Sequence, residues 1–458
     1  MVCCKKSILG VLFCGLIFSS APAEVGKSEE MVLNPNLSSV RQGDMPDNWT
    51  VWNPVFKKSA CVIRPTSNGL MFEAPGRPHA VGGVFQHIKN IKGGQPYLIK
   101  ATCQLQNIPD PYRSVYVRVN WTRGGKTTHP AGMLVRGPIL DGQTAYFKDV
   151  LTAPEEADGT KVALDIRWLQ GGTVLLKRVS MQPTTAPKPR KVKIGTVYLR
   201  PRHSTTENNL NLCCKQIDDA GKLGLDIVCL GEAITSVGTK TTGTGSAELI
   251  PGPTSKKLGD AARKNRIWVV AGIYERDGDH IYNTAILLDR SGKVAGKYRK
   301  IHLPRGEWKD GITPGDSYPV FQTDFGTIAI QICYDWFFPE PTAIFALQGA
   351  EIVFAPTWGN TRPDEDGRVR GESTFRVRAN DNGLYMVPSV YDGNSLIIDP
   401  MGKILTSSNG EKGLFWTEVD LNARERFPWT GYWRSIGPRH RMTGTYAPLL
   451  KYPDKPTY

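Results

Sequence analysis

The chain has 458 residues, too many for one small module and enough for two or three folding units. Hydrophobic residues at 40%, with 16 Tyr, 15 Phe and 11 Trp, exclude a disordered chain, and 47 Gly and 33 Pro without a (G-x-y) period exclude a fibrous one. A net charge of +14 admits an anionic partner, but the basic residues are spread along the chain and their compact run, Lys188, Arg190, Lys191 and Lys193, reads as a solvated linker, so no nucleic-acid partner is expected.

Residues 1–23 have the order of a signal peptide: Lys5 and Lys6, an apolar stretch from Ile8 to Phe18, then Ser19-Ser20-Ala21-Pro22-Ala23 as a small-residue cleavage site. That stretch falls short of the roughly 20 residues a membrane-spanning helix needs, and no later one is longer. An exported protein, periplasmic or secreted, without an integral membrane segment is therefore expected. Phe13 before Cys14 is a poor match to a lipid-attachment site. Cys3, Cys4 and Cys14 would leave with the leader; Cys61 and Cys103 could pair in an oxidising compartment, while Cys213, Cys214, Cys229 and Cys333 are scattered. No C-x-x-C occurs and the seven histidines form no i, i+4 pair, so neither a metal nor a cofactor is expected.

From 31 to 182 the rhythm is period two. Val115, Val117, Val119 and Trp121 alternate with Tyr116, Arg118 and Asn120; Val162, Leu164, Ile166 and Trp168 alternate with Ala163, Asp165 and Arg167; and Tyr97, Ile99, Ala101, Cys103 and Leu105 repeat the pattern. Half-buried strands with Gly-Gly turns and no convincing helix predict an all-β antiparallel sandwich, jelly-roll-like. Trp49 and Trp52 read mainly as strand or core residues, with stacking on a carbohydrate as the functional alternative.

Residues 183–191 form a Pro-rich linker. From 192 to 425 strands and helices alternate: a strand from Val192 to Leu199, a helix carrying Leu210, Cys213, Cys214 and Ile217, a strand from Asp226 to Leu230, a helix near Ser255–Lys264, a strand from Ile267 to Tyr274, and a hairpin turning at Arg290-Ser291-Gly292. A strand over Thr327–Ile332, a helix over Pro341–Gln348 closed by Gly349, and a strand over Ile352–Ala355 follow. This pattern predicts an α/β domain with buried sheets, followed by an extension over 426–458.

Polar residues that end apolar strands are catalytic candidates, because strand ends open into clefts while their backbones stay rigid. Glu232 ends Ile227-Val228-Cys229-Leu230-Gly231, Lys300 follows Lys297-Tyr298-Arg299, and Cys333 ends Ile328-Ala329-Ile330-Gln331-Ile332. Singly, such a cysteine reads as a small core residue and such a lysine as a surface charge. Together, the strand ending in Glu232, the run Tyr298-Arg299-Lys300-Ile301-His302-Leu303 and the strand ending in Cys333-Tyr334-Asp335 resemble the carbon-nitrogen hydrolase (nitrilase) superfamily. Gly272-Ile273-Tyr274, Tyr282-Asn283-Thr284-Ala285, Leu347-Gln348-Gly349-Ala350-Glu351 and Ile397-Ile398-Asp399-Pro400-Met401-Gly402 extend the match over about 192–425.

The resemblance implies an α-β-β-α four-layer sandwich for this domain, with a galactose-binding-like N-terminal unit by pattern. It implies a Glu232, Lys300, Cys333 triad, Glu307 as an additional active-site glutamate, and a homo-oligomer. Cys333 would attack an amide or N-carbamoyl carbon, Glu232 would act as base and then acid, and Lys300 with the backbone N–H of Tyr334 would hold the oxyanion. A nearby ammonium is expected to stabilise the thiolate. Nitrilase activity is the nearer alternative, weakened by Cys333-Tyr334-Asp335 where dedicated nitrilases usually carry Cys-Trp-Glu; a carbohydrate-binding or adhesion protein with a relic hydrolase domain is the non-enzymatic one. In Lys-Ile-His-Leu, His302 is expected to orient neighbours rather than activate Cys333, and Asp335 to serve as a cap or ion-pair partner. The loops 239–248 and 357–371 are expected to line the pocket.

Overall fold

The computed structural model describes residues 29–39, 41, 43–129, 132–359, 370–424, 426–427 and 431–451. The predicted signal peptide and most of the 357–371 loop lie outside them.

Two antiparallel six-stranded sheets carry the N-terminal half. One runs in the order Thr50–Trp52, Ala80–Lys89, Gly159–Leu169, Val115–Arg123, Lys126–Thr127, with Met133–Leu134 also on Val115–Arg123. The other runs Val62–Thr66, Gly69–Glu73, Thr173–Pro183, Pro96–Gln106, Thr144–Thr152, Ile139–Asp141. Inward residues of both, among them Phe72, Val84, Ile99, Val117, Phe147 and Val179, form one apolar cluster. Cys61 and Cys103 are buried free thiols rather than a disulfide. Trp49 is likewise buried, its indole N–H given to the Asn34 carbonyl, and Trp52 is half-buried, its indole N–H donated to Asp165 at 2.9 Å.

The alternation holds on Pro96–Gln106 but fails on Val115–Arg123, where both faces are covered. The chain's end explains the difference. Ile436, on the helix Trp433–His440, packs with Tyr116 and Leu134; His440 stacks on Tyr116 at 6.2 Å between centroids, and the Arg439 guanidinium lies over the same ring at 5.4 Å. Arg424 adds a bidentate pair to Asp149 at 2.8 Å for each bond. The segment Trp433–His440 thus returns to the outer face of the first sheet, and Arg424 ties the chain to the second.

A third sheet runs Val294–Arg299, His280–Leu288, Trp268–Asp277, Ile227–Cys229, Lys191–Tyr198, Gly413–Asp420, and a fourth Val320–Gln322, Thr327–Ile330, Ile352–Gly359, Tyr385–Asp392, Leu396–Ile398, Ile404–Ser407. Their central pairings are parallel, and strands such as Ile352–Gly359 are apolar nearly throughout, as burial on both faces requires. One apolar cluster takes Ile194, Ile227 and Val270 from the third sheet and Ile330, Phe354 and Val387 from the fourth. A second joins the outer face of the third to Leu210 and Ile217 of the helix Thr206–Lys222 and Leu258 of the helix Pro253–Asn265.

The basic run is absorbed by intramolecular contacts: Arg190 on Glu351 and Asn422, Lys191 on Glu418 at 2.9 Å, and Lys193 over the Trp416 ring. Among the described residues no helix is long and apolar enough to cross a membrane.

Candidate active site

The site forms where the parallel strands of the third and fourth sheets end. Glu232 follows Ile227–Cys229, Lys300 follows Val294–Arg299, Cys333 lies just past Thr327–Ile330, and Trp358 is near the end of Ile352–Gly359. The two sheets meet closely there. A Cβ on Gly231 would sit 2.3 Å from the Tyr391 hydroxyl, and one on Gly272 would sit 2.7 Å from the Glu232 Cα, so both positions exclude any side chain. Tyr391 donates to the Glu232 carbonyl at 2.7 Å.

Glu232, Asn283 and Lys300 are almost wholly buried. Glu232 Oε1 accepts from Lys300 Nζ at 3.0 Å and Asn283 Nδ2 at 2.7 Å, and Oε2 accepts from the Trp358 backbone N–H at 2.6 Å. Lys300 Nζ also pairs with Glu307 Oε2 at 2.9 Å, while Asn283 Nδ2 reaches Glu307 Oε1 at 2.5 Å. One ammonium and one amide therefore hold two carboxylates together. Burial works against the Lys300 charge, but Glu232, Cys333 and Glu307 outweigh it and keep its pKa well above the ordinary value. Burial, with Glu232 adding to it and Lys300 opposing, raises the Glu307 pKa. Such a cluster can keep one carboxylate ready for proton transfer while the cation faces developing negative charge.

Cys333 opens a short 3₁₀ turn, Cys333–Phe337, with φ of +42°, a left-handed conformation that a residue with a side chain adopts at a cost of about 1–2 kcal/mol. Its thiol is pushed up to about 12, by burial first and then by Glu232, against which Lys300 and the Trp358 amide act in the opposite sense. Burial thus works against the thiolate at this position, while Lys300 and the Trp358 amide favour it.

Asp335 secures the turn. Fully buried, it accepts from the Tyr298 hydroxyl at 2.8 Å, the Ile332 N–H at 3.0 Å, the His302 N–H at 2.9 Å and His302 Nδ1 at 2.8 Å. His302 stacks on Phe338, so it is held by Asp335 and an aromatic ring. Tyr334 packs on Phe337 and Phe338, which places its residue, with the backbone N–H of interest, directly beside Cys333.

All four predicted side chains belong to this region: Glu232, Lys300 and Glu307 are in direct contact, and Cys333 is close enough for its charge to act on Lys300. Sequence reasoning missed Asn283 and the Trp358 amide. Asn283 stands within a motif quoted for the family, and a buried amide in the otherwise apolar run of His280–Leu288 is the signal that could have marked it. In the 239–248 loop, Gly243 approaches the ring of Tyr274, whose pKa is raised by burial and then by Glu232 and Glu307. Among the described residues no His, Cys, Asp and Glu group could hold a metal ion.

The family model for carbon-nitrogen hydrolases matches residues 193–428. The chain is 31% identical over 237 residues to the omega-amidase NIT2 of Mus musculus, covering 48% of this chain and 85% of that protein. It is 33% identical over 245 residues to a nitrilase of Pyrococcus abyssi, covering 50% and 90%. The solved structure of Saccharomyces cerevisiae Nit3, a member of branch 10 of the nitrilase superfamily, aligns with a TM-score of 0.46 and 28% identity over 52% of this chain and 93% of that one. The chain belongs to the carbon-nitrogen hydrolase family. It is a hydrolase acting on carbon–nitrogen bonds other than peptide bonds.

Proposed function

We propose that the protein is an exported amidase that cleaves a small amide or N-carbamoyl amine through a thioester on Cys333. The observation that carries this reading is the buried cluster of Glu232, Lys300, Glu307 and Asn283 beside a cysteine in a left-handed turn. The thiol proton passes to Glu232 as the sulfur attacks the substrate carbon and the S–C bond forms. The oxyanion is held by Lys300 Nζ and the Tyr334 backbone N–H. Collapse breaks the C–N bond, with the Glu232 proton delivered to the departing amine. Water, deprotonated by Glu232, then attacks the thioester and releases the acid, and the proton returns to sulfur. Asn283 and Glu307 position Lys300 and Glu232 throughout.

The test is release of ammonia or amine from amides, N-carbamoyl amines and nitriles by the mature protein and by Cys333→Ala. Turnover of an amide or carbamoyl amine that Cys333→Ala abolishes is the expected result. Turnover of nitriles alone would favour the nitrilase reading, for which the 33% identity to the Pyrococcus abyssi protein is the supporting observation. No turnover of any of them by wild type would favour the carbohydrate-binding or adhesion reading with a relic hydrolase domain.

The same reading places a jelly-roll unit at 31–182, a linker at 183–191, the hydrolase unit at 192–425 as an α-β-β-α sandwich, and an extension from 426. It is supported by the two apolar clusters and by the helices on the outer face of the third sheet. Export and self-association complete it. The mature chain is expected to begin near Glu24 and to form homo-oligomers; an intact mass retaining Lys5 and Lys6, or a monomer by light scattering, would contradict the respective part.

A further inference from the structure

A cavity of about 730 Å³ lies away from the proposed triad, where the N-terminal sheets, the start of the fourth sheet and the returning C-terminal segment converge. Its place follows from the strands. Glu351 and Tyr385, at the beginnings of Ile352–Gly359 and Tyr385–Asp392, line it, whereas Trp358 and Tyr391 at the other ends of those strands meet Glu232. Eight residues of strand separate the two ends by roughly 25 Å.

Six arginines line this cavity, against the carboxylates Asp110 and Glu351. Four of the six are paired: Arg190 with Glu351 at 2.5 Å, Arg424 with Asp149 at 2.8 Å, Arg136 with Asp149 at 3.6 Å and Arg113 with Asp110 at 3.4 Å. Among the described residues Arg439 and Arg441 have no carboxylate partner within ion-pair distance. Arg441 gives Nη2 to the Asn382 amide oxygen at 2.7 Å. Arg439, only 9% exposed, makes one long bond from Nη2 to the Val135 carbonyl at 3.5 Å, and its Nη1 is buried with no partner at all. The buried Nε of Arg113 is also without a partner. Burial lowers the Arg439 pKa, with Tyr116, Tyr112 and the more distant Asp149 acting in the opposite sense.

A buried guanidinium without a carboxylate is expensive to maintain unless something supplies the charge. The volume suits a ligand of drug size, and Leu421, Pro138 and Tyr432 offer apolar contact beside the arginines. We propose that this cavity is a binding site for a small organic polyanion, whose carboxylate or phosphate oxygens are taken by Arg439, Arg441 and Arg113. Guanidinium forks bind both kinds of oxyanion in bidentate fashion.

The test is calorimetric and thermal titration of the full chain with pyrophosphate and, separately, tricarballylate at fixed ionic strength. At least one should bind at a single saturable site and raise Tm with concentration, as a ligand selective for the native state must. Response to pyrophosphate alone identifies a phosphoryl ligand, to tricarballylate alone a carboxylate. Arg439→Met should fold at least as stably without ligand, having lost an uncompensated cation, and should bind about tenfold or more weakly, as should Arg441→Gln, which serves if Arg439→Met fails to fold. The exposed Arg263, paired with Asp260, provides the control: Arg263→Gln should bind as wild type does. Saturation by neither anion, unchanged affinity in Arg441→Gln, or equal loss in Arg263→Gln overturns the proposal.

Discussion

Lys300→Met should lower kcat by about 10²- to 10³-fold, the loss expected on removing one oxyanion donor. With Nζ 3.0 Å from Glu232 and 2.9 Å from Glu307, the lysine also neutralises two carboxylates that share the Asn283 amide. Without it, burial and the repulsion of Glu232 raise Glu307 with no lysine to oppose them. A raised acid is in its base form only at higher pH, so the acidic limb of the kcat/KM profile should move upward. Lys300→Arg keeps the charge but brings a longer, planar group into a site that is 1% exposed, and should lose nearly as much. Kinetics with folding confirmed by circular dichroism decide the matter. Should Lys300→Met retain more than about a tenth of wild-type kcat, the lysine is not an oxyanion donor.

Asp335→Ala should be the most destabilising single change near the site. It strands the Tyr298 hydroxyl and the Ile332 N–H in a fully buried place, and both His302 donors in a half-buried one. Each unsatisfied donor costs about 1–3 kcal/mol, and after partial relaxation we expect a loss of about 4 kcal/mol. For a unit of this size that lowers Tm by on the order of 10 °C. Asp335→Asn keeps one accepting oxygen and should lose about half as much. Differential scanning calorimetry measures both, and a loss under about 1 kcal/mol for the alanine variant would show that Asp335 does not secure the turn.

Much of this site was legible in the sequence for one physical reason. An apolar strand that ends in a charged or nucleophilic residue announces a rigid backbone opening into a cleft, and Glu232 and Cys333 stand at such ends, while Lys300 was marked by the run Tyr298-Arg299-Lys300-Ile301-His302-Leu303. What joins them was not legible. The Trp358 amide reaches Glu232 across 126 residues, and Tyr391 across 159, and no local pattern encodes a contact at that separation. The alternation on Pro96–Gln106 gave its faces correctly because that strand keeps one face to solvent. On Val115–Arg123 it misled, because the cover for Tyr116 comes from the far end of the chain. The helix Arg370–Asn382 escaped notice as well, its few apolar residues being separated by charges.

That far-end cover sets an order of events during synthesis. Asp149 emerges 275 residues before Arg424, which at roughly 5–20 residues per second is about 14–55 s. For most of that interval, once Gly159–Leu169 has been made, the first-made sheet has its full complement of strands but an open flank, with Tyr116 and Leu134 facing water. Whatever else is nearby in the exit path, including other nascent copies, meets that flank before its own chain can close it, so the last thirty or so residues act as a timer on solubility as well as a part of the fold.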